Sequence, residues 1–475
     1  MGKVATPEAM RFMADCLKAA GAAAKAAEQQ AELLIQADRF GHPSHGLNRL
    51  ENYVKDIKSG VCKPNNKPKV LKETESTAWV DANNVLGATA SHFAMDIAIQ
   101  KAEETGVGWV SVKVSAIMGK VATPEAMRFM ADCLKAAGAA AKAAEQQAEL
   151  LIQADRFGHP SHGLNRLENY VKDIKSGVCK PNNKPKVLKE TESTAWVDAN
   201  NVLGATASHF AMDIAIQKAE ETGVGWVSVK GSNHNGMAGF WSQKAADKCM
   251  IGMAFTNTSP LLAPTRSKKS ALGTNPISVV AHASRGETFY LDMATTAVAL
   301  GKIEMQRRKG EPLPSGWAQG PDGMETKEAE LAFKTACLMP LGGSELTSGY
   351  KGYGLSAVVE LFSGILAGAN YGHHVRSWSQ GKVAAPANLG HCFVAINPQC
   401  FAPGFRDRLA DCIQHWRKLE PTDPELPVLA PGDKERKAAD AVDAAGVVSY
   451  VKQQIESSAA LAKTLNVRPM EVCLD

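Results

Sequence analysis

Apolar residues at helical spacing run through the early part of the chain and give way to strand-like runs further on. Met127, Met130, Ala131 and Leu134 recur three and four residues apart, which predicts one buried helix face, opened by Thr123 and Pro124 and closed by Gly138. An Ala-rich helix is predicted from about Ala139 to Asp155. Leu164, Leu167, Val171 and Ile174 form a third stripe down to Gly177, with Ser161 placed as its N-cap. Pro181 to Pro185 reads as a polar loop. Beyond it the pattern changes to a strand over Trp226 to Val229, a loop to Gly236, a helix to about Cys249 and a strand over Ile251 to Thr256. This is α/β organisation with a helical lead-in.

The same pattern is written twice. Met1 to Lys113 recurs letter for letter as Met118 to Lys230, with Val114-Ser115-Ala116-Ile117 as the joint. Solenoid repeats keep a pattern while their letters diverge, so perfect identity beginning at a methionine points to a recent duplication or a mis-assembled gene model, not to a repeat architecture. Removing the offset leaves 475 − 117 = 358 residues, the size of one two-domain subunit. Copy two continues directly into Gly231 and is expected to be the working one. Copy one carries Ser44, His45 and Arg49 but none of the downstream motifs.

Composition narrows the function classes. A net charge of +4 on 475 residues, with no basic tail, gives no electrostatic reason for a nucleic-acid or membrane partner. The ten cysteines show no CxxC pair or metal-like spacing, and Cys392 and Cys400, the closest non-repeated two, sit among strand-like residues. Reduced thiols in a cytoplasmic protein are expected. The apolar run Gly354 to Ala369 is too short to span a bilayer and contains Glu360. The first six residues loosely fit a myristoylation pattern, but Thr6-Pro7 also reads as an N-cap followed by proline at the first helical position.

Two constellations carry candidate chemistry. Ser161-His162-Gly163-Leu164-Asn165-Arg166 sets an imidazole and a guanidinium four residues apart at a helix start. The guanidinium fork matches a carboxylate and the imidazole exchanges protons near neutral pH, although a surface His and Arg beside a cap would read the same. Gly231-Ser232-Asn233-His234-Asn235-Gly236 lies between a strand and a helix, where α/β proteins keep ligands; a glycine-rich turn with a locally bonded histidine is the alternative. Gly352-Tyr353-Gly354-Leu355-Ser356-Ala357 matches the dinucleotide fingerprint, but the polar, glycine-rich Gly342 to Gly349 precedes it, so a Rossmann assignment fails on context. Amides opening a helix at Gly352, with Lys351 as counter-charge, remain a phosphate candidate.

Taken in order, SHGLNR, GSNHNGMAG, FTNTSP, LGTNPI, LDMATT, GKI, YKGYGL, the Gly390-His391-Cys392-Phe393 strand and Pro431-Gly432 resemble the malate/L-lactate dehydrogenase family, which includes sulfolactate, ureidoglycolate and diketogulonate oxidoreductases. The resemblance runs from about Thr123 to Gly432. It implies an α/β, sulfolactate-dehydrogenase-like, non-Rossmann nicotinamide-binding fold with a helical N-terminal portion, in a homodimer. It also implies a metal-free hydride transfer between NAD, or alternatively NADP, and the C2 of a small 2-hydroxy or 2-oxo acid. By family pattern His162 and His234 are the acid/base pair and Arg166 holds the substrate carboxylate. Ser259, Asp292, Met293, Ala294, Thr295, Thr296, Tyr350, Lys351 and Gly432 would line the cofactor. The expected domains are a redundant 1–117, a helical portion 118–190, an α/β cofactor and catalytic domain 191–420, and a C-terminal segment 421–475 returning to the helical portion. Tyr350 stands where many members have His or Trp, and Asp433 where Glu is common. The rival readings are a cyclic imine acid reductase and a cofactor-binding protein left idle by the duplication.

Overall fold

The computed structural model describes residues 4–40, 46–113, 118–309, 311–377 and 385–472. Ser44, His45, the joint Val114 to Ile117 and the start of the myristoylation pattern lie outside the described residues. The chain divides into two compact units, Met1–Gly119 with Ser449–Gln453, and Lys120–Val448 with Gln454–Asp475.

The first unit contains α1 (Thr6–Ala19), α2 (Ala24–Arg39), α3 (Leu50–Lys58), β1 (Lys69–Glu73), β2 (Thr77–Asp81), α4 (Gly87–Thr105) and β3 (Trp109–Lys113). Its sheet has the order β1-β2-β3. The hairpin β1–β2 is antiparallel, and β2 and β3 are parallel because α4 carries the chain back over the sheet. Met13, Leu17, Ala27 and Leu34 fill the core between its helices.

The remaining elements are, in chain order, β4 (Met118–Ala122), α5 (Thr123–Ala137), α6 (Ala141–Arg156), α7 (Leu167–Lys175), β5 (Lys186–Glu190), β6 (Thr194–Asp198), α8 (Gly204–Thr222), β7 (Val224–Ser232), α9 (Ala238–Ala246), β8 (Ile251–Thr256), β9 (Ile277–His282), β10 (Thr288–Met293), α10 (Leu300–Lys309), α11 (Ala329–Thr335), α12 (Gly349–Glu360), β11 (Leu389–Ile396), α13 (Phe405–Arg417), α14 (Asp433–Ala445), β12 (Val447–Val451) and α15 (Lys452–Leu465). The second unit is built on a seven-stranded sheet of order β10-β9-β8-β11-β7-β6-β5. Within that sheet only β6–β7 is parallel; the other pairs run antiparallel. A doubly wound nucleotide fold needs a mostly parallel sheet, so the rejection of the Gly352 fingerprint agrees with the topology. One large buried cluster joins α8 and α9 to this sheet, with Trp241, Met212, Ala215 and Phe393 at its centre.

Several local expectations are corrected. Thr6 is the first residue of α1 and not its N-cap, which is Ala5, whereas Thr123 opens α5 and Gly138 ends it as expected. Ser161 does not cap the third helix. A 3₁₀ turn, Leu164–Arg166, precedes α7, and Asp155 Oδ2 accepts the Leu164 N–H at 3.0 Å, so a carboxylate from the previous helix does the capping. The helix after the His234 loop ends at Ala246 instead of Cys249, and β7 is longer than predicted. At α12 the helix opens at Gly349. The amides of Gly349 and Lys351 are already bonded to Ser344 O (2.8 Å) and Ser348 O (3.0 Å), so these two are not free to bind a phosphate. Gly352 serves packing instead, since a Cβ there would lie 2.1 Å from the Leu341 carbonyl oxygen.

Candidate functional site

His234 sits on the loop after β7, and the loop is pinned at almost every residue. Asn233 donates its side-chain amide to Val202 O (2.8 Å), Asn235 donates to Ser208 Oγ (3.1 Å), and Trp241 Nε1 donates to Asn235 O (2.8 Å). Gly204, the first residue of α8, lies against the His234 backbone so closely that a Cβ would meet the His234 carbonyl oxygen at 2.1 Å. The ring is held as well. Gly236 N–H points at Nδ1 (3.2 Å) and the Tyr170 hydroxyl lies 2.6 Å from the same nitrogen. A ring nitrogen that accepts a backbone N–H carries the lone pair, which leaves the hydrogen of the neutral ring on Nε2.

The second histidine comes from the Asp155-capped segment. Gly163 crosses the Asp155 carboxylate so closely that a Cβ would meet Oδ1 at 1.9 Å, so any side chain there would displace the capping carboxylate. This crossing sets His162 with its ring stacked 5.8 Å from His234. Arg166 Nε donates to Ser161 O at 2.6 Å, which folds the guanidinium back toward the same place.

His162, Arg166, His234 and Ser259 all line one cavity of about 120 Å³, room for a small organic acid. Leu261, Pro276, Ala299 and Leu300 give the cavity an apolar wall. Burial, then the Arg166 charge and His159, pushes His162 down to about 3. His234 is held well below the ordinary histidine range by burial, with His162, Arg166 and His391 adding to it. Both rings are therefore neutral at physiological pH. The sequence-based view that these imidazoles exchange protons near neutrality on their own is corrected: desolvation beside a guanidinium penalises the imidazolium.

The structure also brings in a second guanidinium that sequence reasoning missed. Arg376 lines the cavity, and its Nη2 donates to Asp173 Oδ2 at 2.6 Å. Its Nε and Nη1 are buried without a hydrogen-bond partner among the described residues. Ser259, one of the expected cofactor residues, donates Oγ to the Arg376 carbonyl at 2.8 Å and so fixes that loop. Glu360 was missed too. This buried carboxylate accepts from Asn257 (2.9 Å), Asn275 (2.7 Å) and Gly372 N (2.9 Å), tying together the three loops that deliver Ser259, Thr274 and Arg376. A lone Glu inside the apolar run Gly354 to Ala369 was the available signal, because a carboxylate is buried only with several donors.

The other expected cofactor residues do not line this cavity. Thr295 and Thr296 are buried and donate to backbone carbonyls, Thr295 to Asn275 O (3.0 Å) and Thr296 to Val298 O (2.8 Å). Met293 and Ala294 are half-buried beside them. Asp292 accepts the Gly239 N–H at 2.7 Å near the start of α9, and burial raises its carboxyl above the usual range. Gly432 packs against Tyr290, while Tyr350 and Lys351 are exposed.

Fold and site together define a small cavity outside a Rossmann frame, lined by two histidines and two guanidinia, and comparison with known proteins gives it a family. The family model described as malate/L-lactate dehydrogenase matches residues 4–127 and again 121–457. The malate dehydrogenase of Pyrococcus abyssi is 40% identical over 297 residues, covering 62% of this chain and 81% of that protein. The L-sulfolactate dehydrogenase of Methanocaldococcus jannaschii is 34% identical over 312 residues, 65% of this chain and 87% of that protein. The solved malate dehydrogenase of Pyrococcus horikoshii superposes with a TM-score of 0.69 at 32% identity, over 75% of this chain and 98% of that one. The chain belongs to the malate/L-lactate dehydrogenase family, whose hydroxyacid dehydrogenases make it an oxidoreductase of the sulfolactate-dehydrogenase-like fold.

Proposed function

We propose that the chain is an NAD(P)-dependent dehydrogenase acting on a 2-hydroxy acid that bears a second anionic group, a malate- or sulfolactate-type substrate. The observation that carries this reading is the pair of guanidinia, Arg166 and Arg376, on one cavity with two neutral imidazoles. A monocarboxylate has one use for an arginine. A dianion has two, and the Nε and Nη1 of Arg376, which no described residue engages, supply donors for the second group.

The residues present fit a nicotinamide ring: the apolar wall of Leu261, Pro276, Ala299 and Leu300 suits its face, and Thr258, Ser259 and Thr274 place hydroxyls within the same cavity. When bound, the cofactor supplies or takes the hydride at the nicotinamide C4. Arg166 clamps the C1 carboxylate, and His234 offers Nε2–H to the C2 oxygen, where negative charge grows as hydride arrives. Tyr170 and Gly236 keep the ring aimed. Burial raises the Tyr170 hydroxyl well above its usual range, so it stays protonated. In the oxidation direction His162, neutral and on the same cavity, takes the C2 hydroxyl proton as the hydride leaves and releases it to solvent; in reduction it first takes that proton from solvent and then gives it to the C2 oxygen. Asp292 to Thr296, Tyr350, Lys351 and Gly432 remain in this reading as residues for the rest of the dinucleotide.

The test is steady-state turnover of the full chain on malate-, sulfolactate- and lactate-type acids with NAD and NADP, repeated for Arg376→Ala. Loss of Arg376 should raise KM for the dianions about 10²-fold and leave the monoanion unchanged. An equal effect on all three acids would refute the second-anion role.

A further inference from the structure

In copy one, β3 is an edge strand among the described residues. Its sheet ends there, and Trp109 and Ser111 on the strand are exposed, as is Val107 just before it. The helix above is bare as well: Met95 and Ile99 on α4 are exposed although large and apolar. The identical residues in copy two show what such an edge accepts. There β7 pairs antiparallel with β11, so that Val227 lies opposite Phe393 and Ser228 opposite Cys392. Helix α8 packs across both strands, and Met212 and Ile216, the counterparts of Met95 and Ile99, enter the same buried cluster as Phe393 and Ala395. Below the sheet, Trp226 packs edge-on against Phe362 with ring centroids 5.1 Å apart.

An unpaired strand flanked by apolar surface on both faces is a template for another strand. The sequence of β3, Trp109-Val110-Ser111-Val112-Lys113, is nearly symmetric about Ser111. Antiparallel pairing with a second β3 centred on Ser111 would set Val110 against Val112 of the partner subunit, and Val112 against Val110 of the partner subunit. In copy two the positions equivalent to Val110 and Val112 are Val227 and Val229, both buried. The partner strand would take the place beneath α4 that β11 takes beneath α8. Met95 and Ile99 would then be covered by the same elements of the second chain. Such a contact is isologous, so it closes on itself after two chains.

We infer that the β3 edge of copy one is a self-association surface, and that its occupant is the β3 edge of a second copy of this chain. This does not depend on the chemistry assigned to the cavity. The contact links subunits through copy one, in addition to any assembly made by the rest of the chain.

Ser111→Cys in the full chain tests it. Pairing about Ser111 brings the two introduced thiols opposite each other, so mild oxidation should give an interchain disulfide joining them, identified by peptide mass, and adding Ile99→Lys should abolish it. Light scattering supplies a second measurement: the unmodified chain should have at least twice the mass of the Ile99→Lys variant at equal concentration. Ile99 is exposed, and an unchanged circular dichroism spectrum establishes that the variant is folded. Absence of the disulfide together with equal masses overturns the proposal. A disulfide from the introduced thiol to Cys392 would overturn it differently, since that is the register of Ser228 and would mean copy one has taken the seat of copy two on another chain.

Discussion

Copy one and copy two are the same 113 residues in two settings. Most of their elements coincide: α2 and α6 have identical limits after the offset, as do α4 and α8, and the bulge between Val70 and Lys72 recurs between Val187 and Lys189, while β7 has nine residues to the five of β3. Even the capping carboxylate is repeated, with Asp38 accepting from Leu47 N at 2.9 Å as Asp155 does from Leu164. Burial does not agree. Phe12, Leu33 and Met95 are 52%, 51% and 61% exposed, whereas Phe129, Leu150 and Met212 are fully buried. Local sequence therefore sets the elements, and the partner surface supplied by residues after Lys230 turns their apolar faces into core.

Connectivity explains why copy two has that surface. The contacts available to the two copies are equal because the letters are equal. Copy two reaches Gly231 through one peptide bond, while copy one in the same seat would leave 117 residues looped between Lys113 and Gly231. Closing a loop of that length costs about 4 kcal/mol, enough to decide between identical competitors.

The same substitution made in each copy can break this comparison. Arg166→Ala should lower kcat/KM by about 10²-fold or more, while Arg49→Ala leaves turnover unchanged; equal losses would mean copy one also serves the cavity. His234→Ala, which has no counterpart in copy one, should lower kcat by about 10²–10⁴-fold. Leu150→Ala should cost about 3–5 kcal/mol in denaturant unfolding, against about 0.5 kcal/mol or less for Leu33→Ala. Matching costs would show that the Leu33 face is covered in solution.

Acid should act on the second unit through its buried histidines. His162 and His391 stay neutral down to about 3 and His209 down to about 4, each chiefly through burial. The unfolded chain takes up those protons near pH 6.5. Their contribution to stability is thus present above pH 6.5 and is lost as pH falls toward 3–4. Calorimetry from neutral to mildly acidic pH should show a falling melting temperature, and His391→Gln should flatten the slope. The smallest effect is at Trp196, whose Nε1 donates to Ala367 O at 2.7 Å. Trp196→Phe should cost about 1 kcal/mol in the same assay, and Trp79→Phe close to nothing.

The residues that were legible in the sequence are those whose chemistry is local. His162, Arg166 and His234 sit in short motifs of distinctive composition, and the cavity gathers all three. Ser161 misled because a serine before a helical stripe is a good N-cap by local rules, while the actual cap arrives from Asp155 on the preceding helix. Arg376 and Asp173 were invisible because their pairing spans 203 positions and neither lies in a motif. Glu360 was noticed only as a charge in an apolar run; its three amide donors come from loops folded together by the sheet.

By itself the sequence determined the main helices and strands to within a few residues, the duplication, the family resemblance and three residues that line the cavity, because periodicity, identity and motif composition are properties of neighbouring residues. The tertiary structure alone decided which of two identical segments became core, that burial disfavours the charged form of both imidazoles, and that a second guanidinium lines the same cavity. Those outcomes depend on desolvation and on contacts between distant segments, and neither is written in any short stretch of the chain.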